Sequence, residues 1–250
     1  MPQIILITGA SSGFGAACAR EFARKGCVLV LVARRLERLQ ALQQELAPAE
    51  TYIAQLDVTA PKALEAVFDS LPEKCREIDV LINNAGLALG IEPAQEANFD
   101  DWQTMVDTNI TGLLRVTRFF LPGMVKRNCG HIINIASTAA SWPYPGGNTY
   151  GATKAFVQQF SRGLRADLLG TKLRVTTLSP GMAETEFSDV RFKQDKAKAD
   201  AVYNNVQPLS AKDIADIIVW ICSVPAHVNI NSLEVMPVCQ SWGPLAIHRE

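Results

Sequence analysis

Seven short aliphatic runs, separated by longer stretches of helical periodicity, are the strongest constraint on this chain. Ile4-Ile5-Leu6-Ile7 is apolar at every position. It lacks the alternation of a strand with one wet face, so it reads as a strand covered by helices on both sides. Further runs are Cys27–Val32, Tyr52–Leu56, Val80–Ile82, His131–Ile135, Leu173–Leu178 and Leu233–Met236. Between them, Phe156, Phe160, Leu164 and Leu168 recur every four residues, and Ile214, Ile217, Ile218 and Ile221 keep helical spacing. Each set predicts one apolar helix stripe. Alternating strand and helix implies parallel strands joined by right-handed crossovers. The expected fold is α/β, a single doubly wound domain over residues 1–250 with a seven-stranded parallel sheet. Residues 183–208 are polar and weakly patterned, which predicts a mobile surface flap rather than a core element. Residues 237–250 form an apolar C-terminal tail.

The chain has 250 residues, 48% hydrophobic and 20% charged, as expected of a globular domain with a sizeable core. Lys and Arg total 24 against 25 Asp and Glu, a net charge of -1. That balance provides no basic field for nucleic acid or an anionic membrane. The longest apolar strand-like run, Cys27–Ala33, falls far short of the roughly 18 residues of a membrane span. No basic region precedes the N-terminal apolar residues, so no signal peptide is expected. Six cysteines form no CxxC pair and three histidines show no ligand spacing. No metal site is predicted, and the scattered thiols fit a reducing, cytoplasmic setting.

The first run leads into Thr8-Gly9-Ala10-Ser11-Ser12-Gly13-Phe14-Gly15, and a helical pattern follows. Gly9 permits a tight turn, Gly13 lets backbone approach a pyrophosphate, and Gly15 lets the helix pack closely on the sheet. A helix N-terminus there offers N–H groups and a positive dipole end to phosphate. No Lys follows the glycines, so this is not a P-loop. The second run ends at Ala33-Arg34-Arg35, where an acidic residue would accept the ribose 2′-OH of NAD. Arg34 and Arg35 suit a 2′-phosphate instead, which favours NADP. They also read as a solvated helix start, continued by Glu37 and Arg38. Asp57, before Val58, suits an adenine amino group or a cap for a helix beginning near Pro61. Asn83-Asn84-Ala85-Gly86 closes the fourth run and reads as a tight turn beside a ligand.

The fifth run leads to Ser137, and thirteen residues later Tyr150 and Lys154 stand four apart on one helix face. A phenol has a reference pKa of about 10, poorly placed for proton exchange near neutrality. A nearby ammonium favours the phenolate and lowers that pKa. Ser137 at a strand end is placed to hydrogen-bond a carbonyl or alcohol oxygen. Alone, a Tyr-x3-Lys pair also fits an ordinary surface helix.

Together the glycine turn, Asn83-Asn84-Ala85-Gly86, Asn109, Ser137, Tyr150/Lys154 and Pro180-Gly181 resemble the short-chain dehydrogenase/reductase family over essentially the whole chain. The resemblance implies a Rossmann-type fold and a tetrad of Asn109, Ser137, Tyr150 and Lys154. Tyr150 would be the general acid/base and Ser137 the donor to the substrate oxygen. Lys154 would bind the nicotinamide ribose and lower the Tyr150 pKa, and Asn109 would hold a water linking Lys154 to solvent. Cofactor contacts are implied at Gly9, Ser11, Ser12, Gly13, Phe14 and Gly15. Others are implied at Arg34, Arg35, Asp57, Val58, Asn84, Ala85, Gly86, Tyr150, Lys154, Pro180, Gly181 and Thr185. The stretches Asn84–Gly90, Ser141–Tyr144, Thr185–Ser188 and Val224–Asn231 are similar to the NADP-dependent 3-hydroxy acid dehydrogenases. That subfamily implies small hydroxy acids of the serine, L-allo-threonine or malonic semialdehyde type as substrates, and a homotetramer.

A carboxylate substrate needs a cationic partner. Arg191 is the candidate, against the alternative of a solvated flap charge. Tyr144, Met182 and Phe187 are candidates for the pocket wall or for ordinary packing. An inert NADP-sensing protein would show a damaged tetrad, whereas all four positions hold competent groups. A reductase of another carbonyl class (a ketone, sugar or pterin) would share the tetrad.

Overall fold

The computed structural model describes residues 2–243 and Ile247. Strands β1 (Ile4–Thr8), β2 (Val28–Ala33), β3 (Thr51–Gln55), β4 (Val80–Asn83), β5 (His131–Ile135) and β6 (Arg174–Pro180) all lie in one parallel sheet. Its remaining edge strand is β9 (Ser232–Val235), and the order is β3-β2-β1-β4-β5-β6-β9. Every residue of β2 is buried, because helices cover both faces. Alternation along each strand then sorts the core into two layers. Ile5, Ile7, Leu29 and Leu31 face α1 (Gly13–Arg24), α2 (Leu36–Glu45) and α9 (Ala211–Ser223). Leu6, Val30 and Leu81 face α3 (Ala63–Asp69), α5 (Leu113–Arg127) and α6 (Asn148–Asp167). The predicted runs match these strands to within about two residues at each end.

One expectation is corrected. The four-residue spacing from Phe156 to Leu168 does not give one buried stripe. A step of four overshoots the 3.6-residue turn, so the stripe drifts around the helix. Leu164 and Leu168 are buried, while Phe156 and Phe160 stay half-buried, stacked with centroids 6.0 Å apart. The buried face runs instead through Tyr150, Lys154, Val157, Ser161 and Leu164. Residues 183–208, read as weakly patterned, contain α7 (Phe187–Arg191) and α8 (Lys196–Ala201). The short strands β7 (Ala183–Glu184) and β8 (Leu209–Ser210) pair in parallel and close the base of this segment. Such short elements carry no readable period. Asp195 starts α8 by accepting the Lys198 N–H, and Tyr203 pins the segment with hydrogen bonds to Ser188 and the Ala183 carbonyl.

Of the apolar tail, residues 237–243 and Ile247 are described; 244–246 and 248–250 lie outside the described residues. Val238 and Trp242 are exposed, whereas Gln240 is buried and its side-chain oxygen accepts the Met182 N–H at 2.7 Å. Among the described residues no helix is long and apolar enough to cross a membrane.

The topology places the site. The chain winds outward from β1 through β2 to β3, then returns to β4 on the other side of β1. A crevice opens at the C-terminal ends of β1 and β4, where ligands of doubly wound sheets bind. Two turns meet there. Thr8 Oγ1 accepts the Asn84 and Ala85 N–H groups at 3.0 Å each, and Asn84 Nδ2 donates to the Thr8 carbonyl at 2.9 Å. Gly9 takes φ +66, and a Cβ on Gly15 would sit 2.5 Å from the Gly9 carbonyl oxygen. Gly15→Ala is therefore expected to cost about 1–3 kcal/mol through forced backbone displacement. Equilibrium denaturation checks this, and an unchanged midpoint would show that the turns are not in obligatory contact.

His131 begins β5, 2% exposed, with Nε2 2.8 Å from Thr176 Oγ1 and Nδ1 without a partner among the described residues. Burial, and secondarily Arg174, pulls its pKa from 6.5 down to about 3. The unfolded chain then binds the extra proton first, so stability present above pH 6.5 is lost as pH falls toward about 3. His131→Gln should flatten this acid limb in melting temperatures recorded across that window.

Candidate active site

The crevice encloses about 530 Å³. Of the residues expected at a cofactor, all except Gly15 line it. Gly15 acts behind the wall through the close packing just described. Ser12 caps α1 by position but makes no side-chain cap bond, and the first turn of α1 holds no acidic residue. Its N–H groups and positive dipole end are thus left for an anion. Ser12 Oγ instead accepts from Arg35 Nη2 at 2.7 Å, and Ser11 Oγ accepts from the same guanidinium at 3.3 Å. Arg35 and Arg38 also hold a carboxylate, that of Glu186, so this corner already binds an anion. A donor set of guanidiniums, hydroxyls and a free helix end fits a dinucleotide carrying a 2′-phosphate.

Asp57 lines the crevice, but it does not cap a helix near Pro61. Its Oδ1 accepts from the Thr59 N–H at 2.9 Å and from the Thr59 hydroxyl at 2.7 Å, and α3 starts only at Ala63. The two amides of the β4 turn divide their work. Asn84 bridges to the glycine turn, its Nδ2 donating to the Thr8 and Gly9 carbonyls. Asn83 points into the core, where it donates to Thr117 Oγ1 at 2.9 Å and Asn134 Oδ1 at 2.8 Å.

The three reactive-type side chains come together as the sequence predicted. Ser137 ends the strand-to-loop passage after β5, and its Oγ accepts the Ala139 N–H at 3.1 Å. Tyr150 is 8% exposed. Burial raises the Tyr150 pKa to about 12; the Arg191 charge, and after it the neighbouring Ser137 hydroxyl, oppose the rise. Lys154 is 5% exposed, and its Nζ donates to the Ile135 carbonyl at 2.9 Å. Burial lowers its pKa to about 8.

The charge that acts on the phenol was expected to be Lys154. In the structure the Arg191 guanidinium is the closer cation, 5.1 Å from the Tyr150 ring centroid against 5.9 Å for Lys154 Nζ. Arg191 Nη2 donates to the Tyr144 hydroxyl at 2.9 Å, and the Phe187 ring lies 5.1 Å away. Its Nε is buried and has no partner among the described residues. Gly90 N–H donates to the Arg191 carbonyl at 3.0 Å, which ties α7 to the loop after β4.

Asn109 lies outside the crevice wall. It sits in a π-helical turn, Asp107–Gly112, between α4 (Phe99–Val106) and α5. Its Oδ1 accepts the Leu87 N–H at 2.8 Å, and its Nδ2 donates to the Leu87 carbonyl at 2.8 Å and Thr153 Oγ1 at 3.0 Å. Thr153 Oγ1 donates in turn to the Tyr150 carbonyl at 2.8 Å. The amide therefore clamps the loop after β4 to the turn of α6 that carries Tyr150 and Lys154. Sequence reasoning missed Thr153, Glu186, Tyr203 and Gln240. Their partners lie far along the chain, so no local pattern marks them.

The model of the short-chain dehydrogenases matches residues 3–196. An NADP-dependent 3-hydroxy acid dehydrogenase, YdfG, of Escherichia coli K12 is 55% identical over 249 residues, covering 99% of this chain and all of the relative. A sulfoacetaldehyde reductase 2 of Chromohalobacter salexigens is 51% identical over 252 residues, with both chains fully covered. A solved structure of the closed form of serine dehydrogenase complexed with NADP+ superposes with a TM-score of 0.94 at 55% identity. It covers 99% of this chain and all of that one. With the phosphate turn, Ser137, Tyr150 and Lys154 gathered on one crevice, the chain belongs to the short-chain dehydrogenase family.

Proposed function

We propose that this protein is an NADP-dependent oxidoreductase that moves hydride between NADP and the C3 carbon of small 3-hydroxy acids, of the serine, L-allo-threonine or 3-hydroxypropionate/malonic semialdehyde type. The observation that carries this reading is Arg191. A guanidinium with a buried, unpartnered Nε stands over the Tyr150 ring, in the place a substrate anion needs. The 55% identity to a 3-hydroxy acid dehydrogenase supports it.

In this reading the glycine turn and the start of α1 hold the pyrophosphate, Arg34 and Arg35 the 2′-phosphate, and Asp57 and Val58 the adenine side. Lys154 would take the nicotinamide ribose, and Asn84, Ala85, Gly86, Pro180, Gly181 and Thr185, which line the crevice, would also contact the cofactor. When bound, NADP accepts the hydride from C3, or NADPH returns it. Arg191 binds the carboxylate, and Tyr144 and Met182 flank it. Ser137 donates a hydrogen bond to the reacting oxygen. In oxidation Tyr150, as phenolate, takes the hydroxyl proton; in reduction, as phenol, it gives one back. Asn109 keeps Tyr150 and Lys154 in register through Thr153. Segment 183–208 acts as the flap over substrate. A sulfonate aldehyde is the second reading, favoured by the 51% identical reductase, since the same guanidinium would hold a sulfonate. Neutral ketones, sugars or pterins would leave Arg191 unpaired.

The half-buried Phe156/Phe160 pair and the exposed Trp220 supply faces for the homotetramer that the family resemblance implies. The three buried free thiols, Cys18, Cys27 and Cys75, suit a reducing cytoplasm.

Tyr150→Phe should lower turnover about 10²- to 10⁴-fold while NADPH titration still saturates normally. Turnover close to wild type would remove Tyr150 from the proton step. Arg191→Ala should raise KM for L-serine and sulfoacetaldehyde far more than for neutral ketones. Because Arg191 lowers the Tyr150 pKa, its loss should also move the pH profile of oxidation upward, and Arg191→Lys should recover part of that shift. Equal KM effects on charged and neutral substrates would dismiss the anion contact.

A further inference from the structure

Glu186 joins two ends of the site that the reaction scheme treats separately. Its carboxylate accepts from Arg35 Nη1 at 3.0 Å and from Arg38 Nη1 at 2.5 and 2.8 Å. Those arginines lie 151 and 148 residues away, beside the turn after β2 and at the start of α2. Arg35 is at the same time bonded to Ser11 and Ser12 of the glycine turn. Glu186 thus reaches from the segment over the crevice to the corner expected to hold the 2′-phosphate.

The residue that follows opens α7, and the last residue of α7 is Arg191. Five helical residues span only about 7.5 Å and do not bend easily. One end of this short rod is therefore fixed to Arg35 and Arg38, and the other sets a guanidinium over Tyr150. Charge arithmetic supports the pairing. Arg34, Arg35 and Arg38 supply three positive charges, and among the described residues Arg34 has no ion-pair partner. Glu186 cancels one of the three. The two that remain match a phosphate monoester, which carries about -1.5 to -2 at neutral pH. Partial burial opposes ionisation of Glu186, but hydrogen bonds from Arg38 and Arg35 outweigh it and hold the carboxyl below its ordinary range.

We infer that Glu186 is a positioning residue: it latches α7 onto Arg35 and Arg38, so that the arginine corner of the cofactor site places Arg191 for the substrate anion. The inference rests on the proposed function for what Arg191 binds, but not for the latch itself. A single exposed ion pair has a small effect, whereas one carboxylate shared by two guanidiniums, one of them anchored by two hydroxyls, gains from the network.

Amide hydrogen exchange over residues 187–191 of the NADP+-loaded protein reads the latch without any turnover. Glu186→Gln should speed that exchange about fivefold, the scale of a lost exposed charge network. It should also raise KM for L-serine by more than it lowers kcat. Glu186→Asp should fall between. Arg38→Gln removes one of the two guanidiniums that hold the carboxylate and should speed the same exchange, by less than Glu186→Gln does. Unchanged exchange in Glu186→Gln overturns the latch. So does tighter NADP+ binding by Glu186→Gln with unchanged exchange, which would make Glu186 only an internal competitor of the phosphate. If α7 loosens as expected but no 3-hydroxy acid is turned over, the latch stands and the substrate assignment falls.

Discussion

Everything in this site depends on how closely two backbone turns approach each other where the sheet changes direction. The carbonyl of Gly9, the Cα of Gly15 and the amide of Asn84 occupy one small volume. The Thr8 hydroxyl closes it by taking two N–H groups from the opposite turn while donating to the Ile82 carbonyl at 3.3 Å. A buried hydroxyl engaged in this way satisfies backbone groups that would otherwise be orphaned at the ends of β1 and β4. The consequence is directional. With the turns locked, the start of α1 is aimed into the crevice, and its unpaired N–H groups become a fixed anion site rather than a frayed helix end.

The same sheet end explains the electrostatics. Tyr150, Lys154 and Arg191 meet where protein has replaced most of the water, so each charge is costly to bury and strongly felt by its neighbours. Burial opposes both ionisations, raising the phenol to about 12 and lowering the ammonium to about 8. The Ile135 carbonyl holds the ammonium 5.9 Å from the centroid of the phenol ring. Arg191 lies over the ring instead and opposes the burial. A cation that arrives on α7 therefore eases deprotonation of the phenol beneath it, and in the proposed reaction it is also the partner of the substrate anion.

How much of this was legible in the sequence follows from distance along the chain. The strands were readable because each is a local apolar run, buried throughout in β2, β4 and β5 and partly covered at the edges β3 and β9. Gly9, Gly13 and Gly15 were readable because their φ and packing demands fall within eight residues. Tyr150 and Lys154 were readable because four residues make one helical turn. Asn109 was recognised by resemblance, but its work was not, because its partners Leu87 and Thr153 are 22 and 44 residues away. Glu186 looked like one more polar residue of an irregular segment. Its partners across the crevice have no period linking them to it, and only folding brings them together. The drift of the Phe156 stripe is a milder case, since a spacing of four resembles a helical face until a neighbour shows which side is covered.

These contrasts divide the molecule by the kind of interaction that holds each part. The sheet and its two helical layers are held by apolar burial, which is not directional and tolerates small changes in side-chain shape. The crevice floor is held by hydrogen bonds between the two turns, which fix position but carry no net charge. Segment 183–208 is held to the rest in good part by polar contacts: Glu186 with two arginines, Arg191 with Tyr144, the Arg191 carbonyl with the Gly90 N–H, and Lys193 with Asp101. Contacts of this type exchange readily with water or with a charged ligand, at a cost far below that of opening the core. The part of the chain that carries Arg191 is thus also the part whose attachment responds to the charges of whatever enters the crevice.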